Sequence, residues 1–570
     1  MKKWVYQPRM EGEVFPGIRK EVQEILRSRK VETKPAMEEF LSEHPVLTYD
    51  PFLLKGVREA IQTIKWHIEN RSRICVYGDY DVDGITAVCL LTEFLENLTP
   101  NVISYIPSRT EEGYGVNKGA IQRLHREKTD LIITVDCGIS SWEEVAYAKS
   151  LGMEVIVTDH HTPGEKLAEC IVINPKQPGC RYPFKELCGC GVAYKLIQAF
   201  QKTAGLPKST IARGLDLVAI ATVADIVPLV DENRTIVKHG LRRVNSRKRP
   251  GLRGLLREIS LEDKMVSAEQ IAFIIGPLIN AGGRVDSAQE AMELLRASDA
   301  HKIRELSEKL VYNNNMRKAL QARGYQEAKA QIEEGVSKGI LVIRGRDIHE
   351  GIAGIVAGKL KEEYCRPVLI VTQGKEPGLL KGTGRSVRGL DLYRLLKTQE
   401  GLLENFGGHK AACGFSIREE KLEAFRKALE EETEKIRKEH PQWFEETLLI
   451  DQSLRAEDIT EELVKEINAL EPFGYQNEKP VFSCENLYVV QVQFMGKEKE
   501  HVRLYTRDHK GHAVECVMFG AGKQFREWEL QGNIIDVAGV LNMNRRGRSY
   551  HVQFVLEDIR KHQEKERERS

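Results

Sequence analysis

The chain has almost no net charge: 85 Lys and Arg against 84 Asp and Glu leave +1 at pH 7. That balance excludes a globally polybasic nucleic-acid binder, so any site for a polyanion must come from local clustering. Long apolar runs are missing too, and none is long enough to span a bilayer. The opening MKKWVYQPRMEGEVF has no apolar h-region, so no secretory signal is expected. The 11 cysteines contain no C-x-x-C pair and are scattered through hydrophobic runs, which suits a reducing compartment rather than a disulfide framework. Cys170, Cys180, Cys188 and Cys190 lie close in sequence but lack zinc-site spacing. These absences leave a cytoplasmic enzyme without a membrane partner as the expectation. At 570 residues, 41% hydrophobic and 30% charged, the chain is an ordinary globular one, too long for a single core.

What the chain does have is RICVYGDYDVDG, residues 73–84. The run 74–77 is apolar, branched and aromatic and reads as a short buried strand. Asp79, Asp81 and Asp83 follow at alternate positions, which in extended backbone share one face. Three carboxylates so placed repel unless a cation lies between them. A calcium loop also opens D-x-D-x-D-G, but it needs a bidentate Glu at its twelfth position, where this chain has Leu90. A helix is expected over 85–98.

From there strands and helices alternate. Strands are expected at 102–106, 131–135, 154–158 and 170–173, with helices at 118–127 and 142–151. Units of this length imply a parallel sheet covered on both faces, with ligands beyond the carboxyl ends of its strands. Polar residues fall at those ends: the three aspartates, then Ser108 and Arg109, then Asp136, then Asp159, His160 and His161. Acidic and imidazole groups on one edge form a metal-ligand inventory suited to Mn²⁺ or Mg²⁺.

Asp225 stands in the apolar LDLVAIATVADIVPLV, either capping a helix or reaching the same metals. In PLINAGGR, residues 277–284, the paired glycines allow close backbone approach and Arg284 offers a fork for phosphate. A long polar helix over 299–334 reads as a strut. A second α/β unit follows, with KGTGRSVRG at 381–389 as a candidate phosphate cradle and GGHKAACG at 407–414, where two glycines let His409 approach a ligand. Five strand candidates between 487 and 556 fit a small barrel such as an OB-fold. Arg545, Arg546 and Arg548 in a turn, with Tyr505 and Phe519, suit single-stranded nucleic acid.

GDYDVDG at 78–84, VDCG at 135–138, TDHH at 158–161, Asp225 and GGHKAACG at 407–414 together resemble the DHH phosphoesterase superfamily, most closely the RecJ exonucleases. The resemblance implies an N-terminal lead-in (1–50), a parallel-sheet DHH domain (51–298), a connecting helix (299–334), a smaller α/β DHHA1 domain (335–440), a C-terminal OB barrel (445–560) and a charged tail (561–570). Further C-terminal domains of some relatives are not expected. It implies a two-metal phosphodiesterase using Mn²⁺ or Mg²⁺, held by Asp79, Asp81, Asp83, Asp136, His160 and Asp225. It gives His161 and His409 to catalysis beside Asp136. It gives Arg109, Arg284, Thr383, Arg385, Gly407, Gly408 and His409 to the substrate, with the arginines and Thr383 at a 5′ phosphate. The expected activity is 5′-to-3′ release of mononucleotides from single-stranded DNA in repair and recombination. The expected protein is a monomer, with a RecQ-type helicase and a single-strand-binding protein as partners. A small-substrate DHH enzyme would share the metal site without needing the barrel, and a Cdc45-like scaffold would have lost ligands that are all present here.

Overall fold

The computed structural model describes the chain except residues 1, 11, 109–111, 114, 286–287, 335–338, 375, 523–524, 526–529, 547–548 and 563–570. It divides into two units, Leu47–Phe444 and the combination of Met1–Val46 with Glu445–Ser570.

In Leu47–Phe444 the first sheet has strands β1 (Ile74–Tyr77), β2 (Val102–Tyr105), β3 (Leu131–Val135), β4 (Glu154–Thr158) and β5 (Ile171–Ile173), all parallel in the order β2-β1-β3-β4-β5. The strands read as continuous apolar runs because both faces are covered. Ile74 and Val76 of β1 join one core, whereas Cys75 and Tyr77 join the other. The first core takes helices α1 (Val82–Glu96), α4 (Gly189–Ala204) and α5 (Leu215–Ala224). The second takes α2 (Lys118–Arg126) and α3 (Trp142–Ser150). Strand order reverses between β1 and β3, and at such a switch point the loops part to leave a crevice at the strands' carboxyl ends.

Helix α1 begins at Val82, three residues earlier than the sequence suggested, with Asp81 as its N-cap and Asp83 in its first turn. The alternate aspartates are therefore not on one extended face. A capping side chain outweighs the pattern of alternation here, because Asp81 accepts from the Gly84 N–H at 3.1 Å. PLINAGGR is also helical, in α6 (Gly276–Val285). The close approach allowed by its glycines is to the chain itself: a Cβ on Gly283 would lie 2.7 Å from the Tyr80 carbonyl oxygen.

Helix α7 (Ala300–Glu334) carries Leu306 and Leu310 into the first core and Ala328 and Ile332 into the next body. There β6 (Leu341–Arg344), β7 (Val368–Gln373), β8 (Leu379–Arg385), β9 (Leu403–His409) and β10 (Ala412–Arg418) stand in the order β9-β10-β8-β7-β6, only β6 and β7 being parallel. Helix α8 (Glu350–Tyr364) supplies Ile352, Val356 and Leu360 to its core.

In the other unit, five long strands close a barrel, Phe482–Met495 pairing with both His501–Arg507 and Ile534–Arg546. Residues 1–46 are not a separate lead-in. Lys3–Tyr6 is a strand parallel to Thr447–Ile450. Val22, Ile25, Leu26 and Met37 are buried with Leu463, Ile467 and Phe482 of the barrel segment. Trp4 donates to Asp558 at 2.8 Å, and the Arg560 guanidinium lies 3.9 Å over its ring. No helix among the described residues is long and apolar enough to cross a membrane.

Candidate metal centre

The carboxyl ends of β1, β3 and β4 and the end of α5 meet at one point. Strand β3 delivers Asp136, buried and at φ +60°. That left-handed backbone costs most side chains about 1 kcal/mol or more, and Asp and Asn bear it best. Packing enforces it: a Cβ on Gly189 would sit 2.5 Å from Asp136 Oδ1, so only glycine lets α4 begin there. The same helix start fixes Asp83, whose oxygens accept from the Gly189 N–H at 2.6 Å and the Cys190 N–H at 2.7 Å. Asp225 caps the carboxyl end of α5. The two sequence options for Asp225 therefore hold together: it ends the helix, and its side chain turns toward the aspartates.

His160 lies among them. Its Nε2 is 3.2 Å from Asp136 Oδ1, 3.6 Å from Asp225 Oδ2 and 3.9 Å from Asp83 Oδ2. Burial holds this imidazole below its ordinary pKa, which keeps it in the neutral, ligating form. Beside it, Asp159 is almost fully buried and accepts from four donors: the N–H groups of Ile139, His160 and His161 at 2.9, 2.7 and 3.0 Å, and His161 Nδ1 at 2.8 Å. Burial pushes Asp159 up, but the hydrogen bond and charge of His161 with the backbone donors pull it below the usual carboxylate range. Burial likewise pulls His161 down, and the hydrogen bond and charge of Asp159 override it, raising His161 to about 9.

The remaining carboxylates are strained electrically. Burial first, and the charges of Asp83, Asp81 and Asp225 after it, push Asp136 well up. Burial and then Asp83 and Asp81 raise Asp225 to about 8. Asp83 is raised by burial even against the pull of His160.

Three models of known families match: the DHH family N-terminal domain over residues 73–222, the DHHA1 domain over 337–435 and the RecJ OB domain over 450–558. The single-stranded-DNA-specific exonuclease RecJ of Bacillus subtilis is 36% identical over 539 residues, covering 94% of this chain and 67% of the relative. The Escherichia coli RecJ is 34% identical over 457 residues, covering 75% of this chain and 78% of the relative. The chain belongs to the RecJ family. Among solved structures, RecJ of Thermus thermophilus in complex with Mn²⁺ superposes with a TM-score of 0.80 at 28% identity, over 98% of this chain and 80% of the other. The same protein with Mg²⁺ gives 0.77 at 27% identity, over 98% and 79%.

The side chains of this RecJ-family centre fit divalent ions. Among the described residues, buried Asp136 Oδ1 and both ring nitrogens of His160 have no hydrogen-bond partner, although Asp136 and His160 stand 3.2 Å apart. Three overlapping sets, Asp136–His160–His161, Asp83–His160–Asp225 and Asp79–Asp81–Asp136, each offer ligand atoms within 4.8 Å of one another. Buried lone pairs converging without donors are costly unless a cation serves them.

A pH consequence follows. Unfolded carboxyls ionise near pH 4, whereas the raised groups hold protons up to about 8 for Asp225. The folded state then binds more protons in that window, so stability falls as pH rises from about 4 to 8 when chelator removes metal. Melting temperature in EDTA should decline across that range and Asp225→Asn should flatten the decline. A flat parent curve would contradict the burial of repelling charge.

The other expected site residues lie elsewhere. Thr383 and Arg385 are on one face of β8, beside Gly354 of α8, whose Cβ would lie 3.3 Å from Thr383 Cγ2 and 2.9 Å from Arg385 Nη2. Residues 381–385 are mid-sheet, paired on both sides, so their backbone groups serve the ladder and not a phosphate cradle. Gly407, Gly408 and His409 end β9, exposed, in a hairpin with β10, and are not in the three ligand sets. Arg284 falls on α6, but its side chain lies outside the described residues, as do Arg109 and the side chains of Arg545, Arg546 and Arg548. Cys188 is structural: its Sγ caps α4 by accepting from the Gly191 N–H at 3.3 Å.

Sequence reasoning gave Asp159 no role beyond its place at a strand end. Its position two residues before His161 is the signal that could have assigned it. Asn280, whose Oδ1 accepts from the Val82 N–H at 3.0 Å and so holds the start of α1, carries no such signal.

Proposed function

We propose that the chain degrades single-stranded DNA from its 5′ end, releasing mononucleotides by two-metal hydrolysis. Single-stranded-DNA exonuclease activity comes with RecJ membership, and the polarity and product rest on the motif resemblance. The observation that carries the reaction type is the convergence of His160 Nε2 with Asp136, Asp225 and Asp83 at 3.2 to 3.9 Å, in which, among the described residues, Asp136 Oδ1 and both His160 ring nitrogens are buried without a hydrogen-bond partner.

Asp79, Asp81, Asp83, Asp136, His160 and Asp225 would hold the ions. Mn²⁺ or Mg²⁺ bound there supplies Lewis acidity, acidifying a water and offsetting phosphate charge. Asp159 acts through His161, taking the Nδ1 proton in a hydrogen bond and so presenting Nε2 to the reacting phosphate. With its pKa near 9, His161 carries a proton at neutral pH and can donate to a phosphate or leaving oxygen. His409, on a hairpin flanked by glycines, is assigned to the substrate from the second body. Thr383 and Arg385, with Arg109 and Arg284, are assigned to the 5′ phosphate. The barrel would hold the incoming strand through stacking and charge. A monomer, a cytoplasmic setting and cooperation with a helicase and a single-strand-binding protein complete the reading.

Labelled oligonucleotides test it. With Mn²⁺, a 5′-labelled strand should yield labelled mononucleotide at the earliest times, while a 3′-labelled strand shortens step by step. A duplex of the same sequence should resist. Early mononucleotide from the 3′ label instead would overturn the polarity.

A further inference from the structure

Helix α6 grips the turn that carries three of the metal-centre aspartates. Asp79, Asp81 and Asp83 alternate with Tyr80 and Val82. Both intervening residues meet α6 through their backbone. Val82 is the first residue of α1, so its N–H has no partner within that helix. Asn280 Oδ1 accepts from it at 3.0 Å. At Tyr80 the contact is steric: a Cβ on Gly283 would lie 2.7 Å from the Tyr80 carbonyl oxygen, so the helix rests on the turn with no space for a side chain.

The turn is also tight on itself, since a Cβ on Gly84 would lie 2.5 Å from the Asp79 carbonyl oxygen. It therefore shifts as one piece when α6 shifts. Its counterparts do not share that helix: Asp136 and His160 follow β3 and β4. The seating of α6 thus governs how Asp79 and Asp81 stand relative to Asp136, the set whose ligand atoms lie within 4.8 Å of one another.

The same helix reaches toward the strand's end. Position 284 is four residues past Asn280, one turn along the same face. Arg284 is the residue assigned above to the 5′ phosphate. One helical turn therefore holds the metal-bearing turn at 280 and 283 and offers a phosphate group at 284.

We propose that Asn280 is a positioning residue that couples metal binding to the 5′ end of the strand. With α6 seated on Tyr80 and Val82, the aspartates stand at metal-binding spacing, and a phosphate drawn to Arg284 favours the seated helix. A ligand shifts such an equilibrium only through its preference for one form, and the resulting coupling is reciprocal. The 5′ phosphate then tightens Mn²⁺, and Mn²⁺ tightens the phosphorylated end by the same factor. The proposal rests on the exonuclease reading and adds a regulation of its metal centre by the strand end.

Calorimetric Mn²⁺ titrations test it with a 5′-phosphorylated oligonucleotide in which a methylene replaces the bridging 5′ oxygen of each link, so that nothing is hydrolysed. A matched strand with a 5′ hydroxyl subtracts what Mn²⁺ gains from internal phosphates. In the parent, the Mn²⁺ dissociation constant should be about fivefold or more lower with the phosphorylated strand than with the hydroxyl strand. Asn280→Ala removes the acceptor and should bring that ratio to within about twofold of one. Gly283→Ala favours the helix itself but pushes on the Tyr80 carbonyl, and it should lose the ratio too. Asn280→Asp retains an oxygen for the Val82 N–H and should keep the ratio.

Equal Mn²⁺ affinity with both strands in the parent overturns the coupling, and if affinity in EDTA still favours the 5′ phosphate, the exonuclease reading survives it. If the two ends bind alike even in EDTA, the 5′-phosphate assignment falls and takes the coupling with it. An Asn280→Ala variant that melts lower and binds Mn²⁺ more weakly with both strands, at an unchanged ratio, marks a structural brace and overturns the proposal. Should that variant not fold, Gly283→Ala decides: a retained ratio overturns the coupling, and a lost one supports it.

Discussion

Asp136→Asn should lower the rate of single-strand hydrolysis by on the order of 10³-fold or more, about 4 kcal/mol of transition-state stabilisation. It should do so without unfolding the chain. Asparagine is the informative replacement because Asp136 holds φ +60°, which Asn tolerates and Ala resists. The exchange keeps shape and removes one charge from a set in which burial pushes Asp83, Asp136 and Asp225 all up, and the charges of Asp83 and Asp81 add to the rise of Asp136 and Asp225. In EDTA the variant should therefore melt no lower than the parent. In Mn²⁺ the parent should gain stability through binding to the folded state, and the variant should gain less. Initial rates on a 5′-labelled strand and melting curves with and without Mn²⁺ check both halves. A rate within a few-fold of the parent would remove Asp136, and with it the proposed centre.

The metal side of this molecule was readable because it is local. Each of Asp79, Asp136 and His160 stands within a few residues of a strand end, and a parallel sheet brings its strand ends together whatever else the chain does. Asp81 and Asp83 were singled out on the expectation of one extended face, and the structure gives them another geometry. They lie in a helix start rather than on an extended face, since Asp81 caps α1 and Asp83 takes two N–H groups from α4. Partners 106 and 107 residues away leave no trace in a local pattern.

The second α/β body was harder for the same reason. Small residues in 381–385 and 407–414 look like loops when read alone. In the structure they are strands packed edge to edge, with Gly382 opposite Phe415 and Gly384 opposite Cys413. The strand Lys3–Tyr6 was missed because its partner Thr447–Ile450 lies at the far end of the sequence. Without that partner KWVY is too short to declare a strand.

Lys195→Met is the stability test with the largest expected effect, about 3–5 kcal/mol. Lys195 and Glu232 are fully buried and joined at 2.6 Å, on helix α4 and on the helix Asp231–Asn245. Lys195 Nζ also donates to the Tyr49 carbonyl at 2.8 Å, and Glu232 accepts from the Thr48 hydroxyl at 2.5 Å, the Tyr49 N–H at 3.2 Å and the Tyr182 hydroxyl. Removing the ammonium leaves a carboxylate with neutral donors alone in the core. Burial already holds Lys195 below its ordinary pKa, with the Glu232 charge opposing that shift, so neither ion is comfortable without the other. Adding Glu232→Gln should recover much of the loss, since discharging both members is far milder than stranding one. The effect should reach the metal centre, because the same α4 presents the Gly189 and Cys190 N–H groups to Asp83. Denaturant melts of the two variants, paired with Mn²⁺ titrations, measure both consequences. If the double variant is no more stable than Lys195→Met, the cost lies in lost packing of the lysine stem, and the charge argument for this pair is wrong.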